Sequence, residues 1–192
     1  IGLSGDFGSK FFWSPDGRRL AIGGFDGKQP AILVFSMTDR ATSEPTTEHI
    51  SISPEPGAEL VGFTPDSKQV ATELREYDLV SGRHKLAFWE PIKDNPASMK
   101  VVRTVKLDSD PTFGIAFARD GKTFRTVAPE EDDDRIKKLQ VREVSANTGK
   151  TIQTLLQLEG GFDSYQLSSD GSRLVTGHKD SIAIHDIPGG IK

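Results

Sequence analysis

The chain has 192 residues, enough for one sizeable domain or two small ones, and its 19 glycines and 11 prolines with 35% hydrophobic residues suit a turn-rich all-β protein over a helical bundle. A net charge of −4 and a pI near 5.6 argue against a general nucleic-acid or anionic-membrane surface. No run of about 18 apolar residues offers a transmembrane helix, and the absence of cysteine excludes disulfides, thiolate catalysis and cysteine-based zinc sites.

Residues Ile1–Gly5 read as a short strand that leads through Asp6-Phe7-Gly8-Ser9 into the stretch 11–22, FFWSPDGRRLAI. That stretch returns as VGFTPDSKQVAT at 61–72, IAFARDGKTFRT at 115–126 and YQLSSDGSRLVT at 165–176. The shared aspartates Asp16, Asp66, Asp120 and Asp170 stand 50, 54 and 50 residues apart. A period of this size marks propellers and solenoids, whose repeating unit cannot bury its apolar face alone.

Each copy reads as a hairpin. Trp13, Phe63, Phe117 and Leu167 precede the aspartate by three residues, and Phe11, Val61, Ile115 and Tyr165 by five, the period-2 placement of a strand with one buried side. Leu20, Val70, Phe124 and Leu174 open a second strand four residues after it. The four residues from Trp13 to Leu167 are predicted to be buried equivalently between neighbouring sheets. In the connecting Ser-Pro-Asp-Gly, proline presets a type I turn and glycine accepts the left-handed conformation that closes it. Ser67 replaces that glycine in the second copy, and Arg119 and Ser169 replace the proline in the third and fourth.

Further strands complete each period. In the first repeat, 6–53, the Gly-rich turn 23–27 leads to a strand at 31–36, a polar loop at 38–48 and an outer strand at 49–53. The second, 57–107, is predicted to hold strands at 70–78, 84–90 and 101–107, with a turn at 79–83. The third, 111–158, places strands at 139–144 and 151–158 around the turn Ala146-Asn147-Thr148-Gly149, and Gly160-Gly161 reads as a turn between sheets. The fourth, 161–192, has its third strand at 182–187 and no outer strand. The fold class is all-β, a propeller of four four-stranded antiparallel blades with roughly sixteen strands, since a blade holds four.

The pattern aromatic-Ser-Pro-Asp-Gly-x-x-Leu-Ala, a Gly-rich turn with Asp, then Ile-x-Val-Phe or Ile-x-Ile-His-Asp resembles WD-repeat proteins and the related bacterial propellers of the Tol type. The resemblance covers all four repeats. Asp26 and Asp180 match that family's aspartate between the second and third strands, and His185-Asp186 matches its Trp-Asp pair. Asp6-Phe7 stands where the family often has Gly-His, and Trp89-Glu90 replaces Trp-Asp. Those departures predict blades held mostly by apolar packing.

Closure can be met in three ways: further blades of the same protein, a second copy forming an eight-bladed ring, or a small closed ring in which residues 1–5 complete the last blade. Exposed edges and apolar faces seldom stay uncovered, so in the first two cases the faces around 11–13 and 182–187 are expected to need partners.

Few residues offer chemistry. The four histidines, His49, His84, His178 and His185, lack metal-ligand spacing, and neither a Gly-x-Ser-x-Gly elbow nor a P-loop is present. No cofactor and no metal is expected. The acidic run Glu130–Asp134 lacks the alternation and glycine of a calcium loop and reads as a solvated tip, with Arg135 beside it a binding candidate. Arg75 and Tyr77 face Arg83 and His84 across a loop that mixes charge with an aromatic, as interaction surfaces do. His178 and Lys179 occupy a loop between the second and third strands, where propellers commonly bind ligands.

The expected function is a non-catalytic propeller scaffold that binds a protein or peptide through its blade-connecting loops, with no nucleic acid and no membrane as partner. A hydrolase or lactonase with its site in the central channel, and a structural module of a larger protein, are the alternatives. A soluble setting is expected, the cytoplasm ahead of the periplasm.

Overall fold

A computed structural model describes residues 10–26, 29–36, 49–52, 58–76, 83–93, 95–108, 114–132 and 135–189. The chain forms two compact units, 1–104 and 105–192. The predicted strand Ile1–Gly5 lies outside the described residues, as does Tyr77.

The first unit builds one sheet from β1 (Lys10–Trp13), β2 (Arg19–Asp26), β3 (Gln29–Ser36) and β4 (His49–Ile52), in that order. A second sheet holds β5 (Ala58–Phe63), β6 (Val70–Glu76), β7 (Arg83–Ile92) and β8 (Asn95–Lys106). The sheets join at their outer strands through a single parallel bridge between Ser51 and Ser98. In the second unit, β9 (Ile115–Phe117), β10 (Thr123–Asp132), β11 (Arg135–Ser145) and β12 (Thr151–Phe162) form the third sheet. The last sheet has three strands, β13 (Ser164–Leu167), β14 (Arg173–His178) and β15 (Ser181–Asp186). Among the described residues there are fifteen strands and no helix. Four consecutive antiparallel meanders of three or four strands are the blades of a propeller.

The repeated hairpin owes its shape to its turn. Gly17, Gly121 and Gly171 have φ near +70°, +68° and +64°, and Ser67 takes φ +60° at the matching place. A serine in this region is strained, yet it is held there: the Asp16 amide donates to Ser67 Oγ at 3.1 Å, tying the first blade's turn to the second's. The aspartates do not act alone. Ser14 Oγ donates to Asp16 at 2.5 Å, Thr64 Oγ1 to Asp66 at 2.7 Å and Ser168 Oγ to Asp170 at 2.6 Å. Each carboxylate also accepts the amide two residues on, from Arg18, Lys68 or Ser172. In the third copy Ala118 stands at the hydroxyl's place, and Asp120 keeps only the Lys122 amide, at 2.9 Å.

Blade packing follows one rule within each unit. In the first, Ala21, Ile32 and Val34 of the leading blade, with Phe12, lie against Leu60, Phe63 and Val70 of the next. In the second, Ala116, Val127 and Val141 lie against Leu167 and Leu174. The residues three before and four after the turn aspartate thus face the preceding blade. Phe63 and Leu167 are accordingly 7% and 4% exposed, which at about 2–3 kcal/mol per large apolar side chain supplies much of the driving force. Trp13 corrects the predicted equivalence: it is 57% exposed, so the same place in the motif does not bring the same burial. Phe117 is half-buried, edge-to-face on Phe124 at 5.8 Å.

Other expectations change in detail. Strands β8 and β12 run longer than predicted, and β12 absorbs Gly160-Gly161, which is strand and not a turn between sheets. The turn 146–149 holds for a steric reason. A Cβ on Gly149 would come within 1.8 Å of the Lys106 carbonyl oxygen, so only glycine lets the two backbones meet.

The buried polar network is sparse but present. Trp89 Nε1 donates to Thr72 Oγ1 at 2.9 Å, and Thr176 Oγ1 and His185 Nε2 share a bond of 2.9 Å at the same place in the last blade. Val70 pairs with Trp89 as Leu174 pairs with His185. In the third blade Phe124 pairs with Val144 instead, and Thr126 Oγ1 is buried without a partner. Arg125 is a further staple. Its guanidinium, 2% exposed at the residue level, donates to the carbonyls of Gly171 at 2.7 Å and Pro188 at 3.3 Å, and to that of Gly189.

Candidate functional site

The last blade presents a shallow groove beside two of the predicted site residues. Lys179 and Asp180 make the two-residue turn between β14 and β15, with His178 paired to Ser181 across it. The turn is anchored from one side: the Lys179 amide donates to the Asp163 carboxylate, and the Asp163 amide donates to the Gly177 carbonyl at 2.9 Å. The His178 ring leans on Phe162, 5.4 Å between centroids. A Cβ at Gly177 would approach Ser164 Oγ to 2.4 Å, so any side chain there would have to displace that hydroxyl.

The result is a groove of about 570 Å³ lined by Asp163, Ser164, His178, Lys179, Asp180 and Ile182. Its rim carries two carboxylates, an ammonium and an imidazole beside an exposed isoleucine. Such a surface can hold an extended chain by charge and apolar contact. Among the described residues no group of three or more histidine, aspartate or glutamate side chains could hold a metal ion. Among the described residues no helix is long and apolar enough to cross a membrane.

The other predicted binding residues lie elsewhere. Arg75 and Arg83 sit on the β6–β7 hairpin, where Arg75 pairs with His84 and Glu76 with Arg83, and their side chains lie outside the described ones. His84 does not point to solvent. Its side chain is 12% exposed, and Nδ1 lies 2.7 Å from Glu73 Oε1. Arg135 opens β11 opposite Asp132, next to an acidic tip in which Glu130 is bound by Lys138 at 3.3 Å. Asp26 ends β2 opposite Gln29. His178 and Lys179 are therefore the predicted pair that one cavity unites.

The sequence reading overlooked Asp163, Ser164 and Ile182. Asp163 had a signal: it stands two residues before the repeated hairpin, beside the glycine pair. Also overlooked were the hydroxyls of Ser14, Thr64 and Ser168, recurring two residues before the shared aspartates. They dominate the electrostatics of the turns. The Ser168 hydroxyl, with the Ser172 amide and hydroxyl, lowers the Asp170 carboxyl from 3.8 to about 2. At Asp66 burial pulls upward, but the Thr64 hydroxyl and Lys68 amide outweigh it and the value is lowered. Ser14 lowers Asp16 in the same way.

No protein-family model matches the chain, and no curated protein matches it by sequence. Solved structures do. The crystal structure of TolB from Acinetobacter baumannii aligns with a TM-score of 0.55 at 20% identity, covering 95% of this chain and 41% of that one. A putative TolB from Agrobacterium tumefaciens aligns at 0.47 and 16% identity, over 83% of this chain and 53% of the other. The chain thus spans less than half the length of the first of these. What the likeness to the first carries is architecture: this is an all-β protein of the β-propeller fold, built from consecutive antiparallel blades.

Proposed function

We propose that the chain is a non-catalytic propeller scaffold that binds an extended segment of a partner protein in the groove beside β15. The observation that carries this reading is the cavity itself, where Asp163 and Asp180 stand beside Lys179 and an exposed Ile182 at a hairpin tip whose Lys179 amide is held by the Asp163 carboxylate. Charges of both signs around an apolar anchor match a peptide of mixed charge with one large apolar residue. The likeness to TolB structures supports an interaction propeller only as an analogy of fold.

A peptide library displayed on phage and selected against the purified chain tests this. Selected peptides should lose at least tenfold in affinity on Lys179→Glu, and retain it on Lys150→Glu, an exposed lysine on the separate 146–149 hairpin. Equal affinity for both variants would place binding elsewhere. Turnover in a hydrolase screen that vanishes with His178→Ala would replace the scaffold reading by the enzymatic one.

A further inference from the structure

The sequence holds four Asp-Gly pairs, at 16–17, 26–27, 120–121 and 170–171. Gly27 lies outside the described residues, and the other three pairs sit in the same repeated turn with their aspartates exposed. An Asp-Gly pair can cyclise, because glycine brings no side chain to hinder attack by its own amide. The glycine nitrogen bonds to the aspartate Cγ, and one carboxyl oxygen leaves as water with the carboxyl and amide protons. Water then opens the resulting succinimide. Cleavage at Cγ restores aspartate, and cleavage at the backbone carbonyl leaves isoaspartate, whose main chain runs through the side-chain methylene.

A nucleophile and an electrophile control this step, and the turns differ in the second. The nucleophile is held alike: the amides of Gly17, Gly121 and Gly171 donate to the carbonyls of Ser14, Ala118 and Ser168 at 2.8, 2.9 and 2.8 Å. The electrophile is not. Asp16 collects the Ser14 hydroxyl and the Arg18 amide, and Asp170 collects the Ser168 and Ser172 hydroxyls with the Ser172 amide. Such bonds favour the ionised carboxylate, from which no water leaves until it takes a proton. Asp120 has the Lys122 amide alone, at 2.9 Å, since Ala118 offers no hydroxyl.

We infer that Asp120–Gly121 is a modification site: the pair converts spontaneously to isoaspartate ahead of Asp16–Gly17 and Asp170–Gly171. The product alters the third blade. Its extra methylene enters a turn closed by the Ala118 amide on the Thr123 carbonyl at 2.9 Å. Lys122, in the same turn, carries the carbonyl that accepts the Ala146 amide at 2.8 Å. Isoaspartate therefore loosens the β9–β10 turn and its tie to the 146–149 turn together.

Fragmentation mass spectrometry measures isoaspartate at each pair after the folded chain is incubated in mildly acidic buffer, with the denatured chain as the reference for intrinsic rates. Relative to that reference, Asp120 should convert about 3- to 10-fold faster than Asp16 or Asp170, the effect of one net hydrogen bond. Ala118→Ser supplies the missing hydroxyl and should bring Asp120 down to the rate of the other two. Ser14→Ala recreates the third turn in the first and should raise Asp16 by a similar factor, so the inference remains testable if either variant misfolds. Equal normalised rates at the three pairs would overturn it. So would a folded chain that converts nowhere while the denatured chain does, or rates at Asp120 and Asp16 that neither substitution moves.

Discussion

At the scale of single residues, the repeated turn is held by a carboxylate that collects hydrogen bonds, and Asp170 shows the consequence for pH. Its carboxyl sits at about 2 in the folded chain against an ordinary 3.8, so the unfolded chain takes up the proton first as acid is added. The sign follows: these bonds contribute their full stability above about pH 4, and the contribution is lost as the pH falls through about 2. We expect Asp170→Asn to lower the denaturation midpoint at pH 5, with the gap to the unmodified chain closing by pH 2. A gap that stays constant across that range would show that the side chain acts by shape and not by charge. The aspartate was plain in the sequence because it recurs. Its hydroxyl partner was not, because Ala118 breaks the recurrence in the third copy. Ser67 was legible only as a missing glycine, since nothing local announces that its hydroxyl reaches the neighbouring turn.

At the scale of strands, the hairpins were legible wherever alternation and turn chemistry agreed. Strand ends in β8 and β12 were not, because polar residues and a glycine pair end a pattern without ending a ladder. His84 shows a related effect: among charged neighbours it looks like surface, but the period-2 alternation of β7 turns it to Glu73. The contact Thr72–Trp89 is a sharper case, since in the third blade Val144 stands at the tryptophan's place and Thr126 finds no such donor. Thr72→Val leaves the indole N–H without its acceptor and should cost roughly 1–3 kcal/mol, the usual penalty for stranding a buried donor. Thr126→Val deletes a hydroxyl that has no partner to lose. It should be neutral or stabilise by up to about 1 kcal/mol, because that hydroxyl was already dehydrated without compensation. Chemical denaturation of the two variants checks the contrast, and equal losses would mean that the indole bond contributes nothing.

For the molecule as a whole, the period predicted the blades and their number, but a repeat cannot say which copies are covered. Trp13 and Phe63 hold the same place in the motif, yet Phe63 lies against Ala21, Ile32 and Val34 while Trp13 is 57% exposed. Burial, not motif, sets the energetic cost of truncation. Phe63→Ala should cost about 3–5 kcal/mol at any concentration, the range for emptying a large aromatic site. Trp13→Ala should cost less than about 1 kcal/mol in dilute solution, where the residue is already 57% exposed in the folded chain. If a second copy covers that face, mass action adds to the stability of the folded form as concentration rises. The cost of Trp13→Ala then grows with concentration while that of Phe63→Ala stays level. Denaturation curves for both variants over a hundredfold range of concentration separate the cases. A Trp13→Ala cost that is large and independent of concentration would show that the first blade's outer face is covered within a single chain.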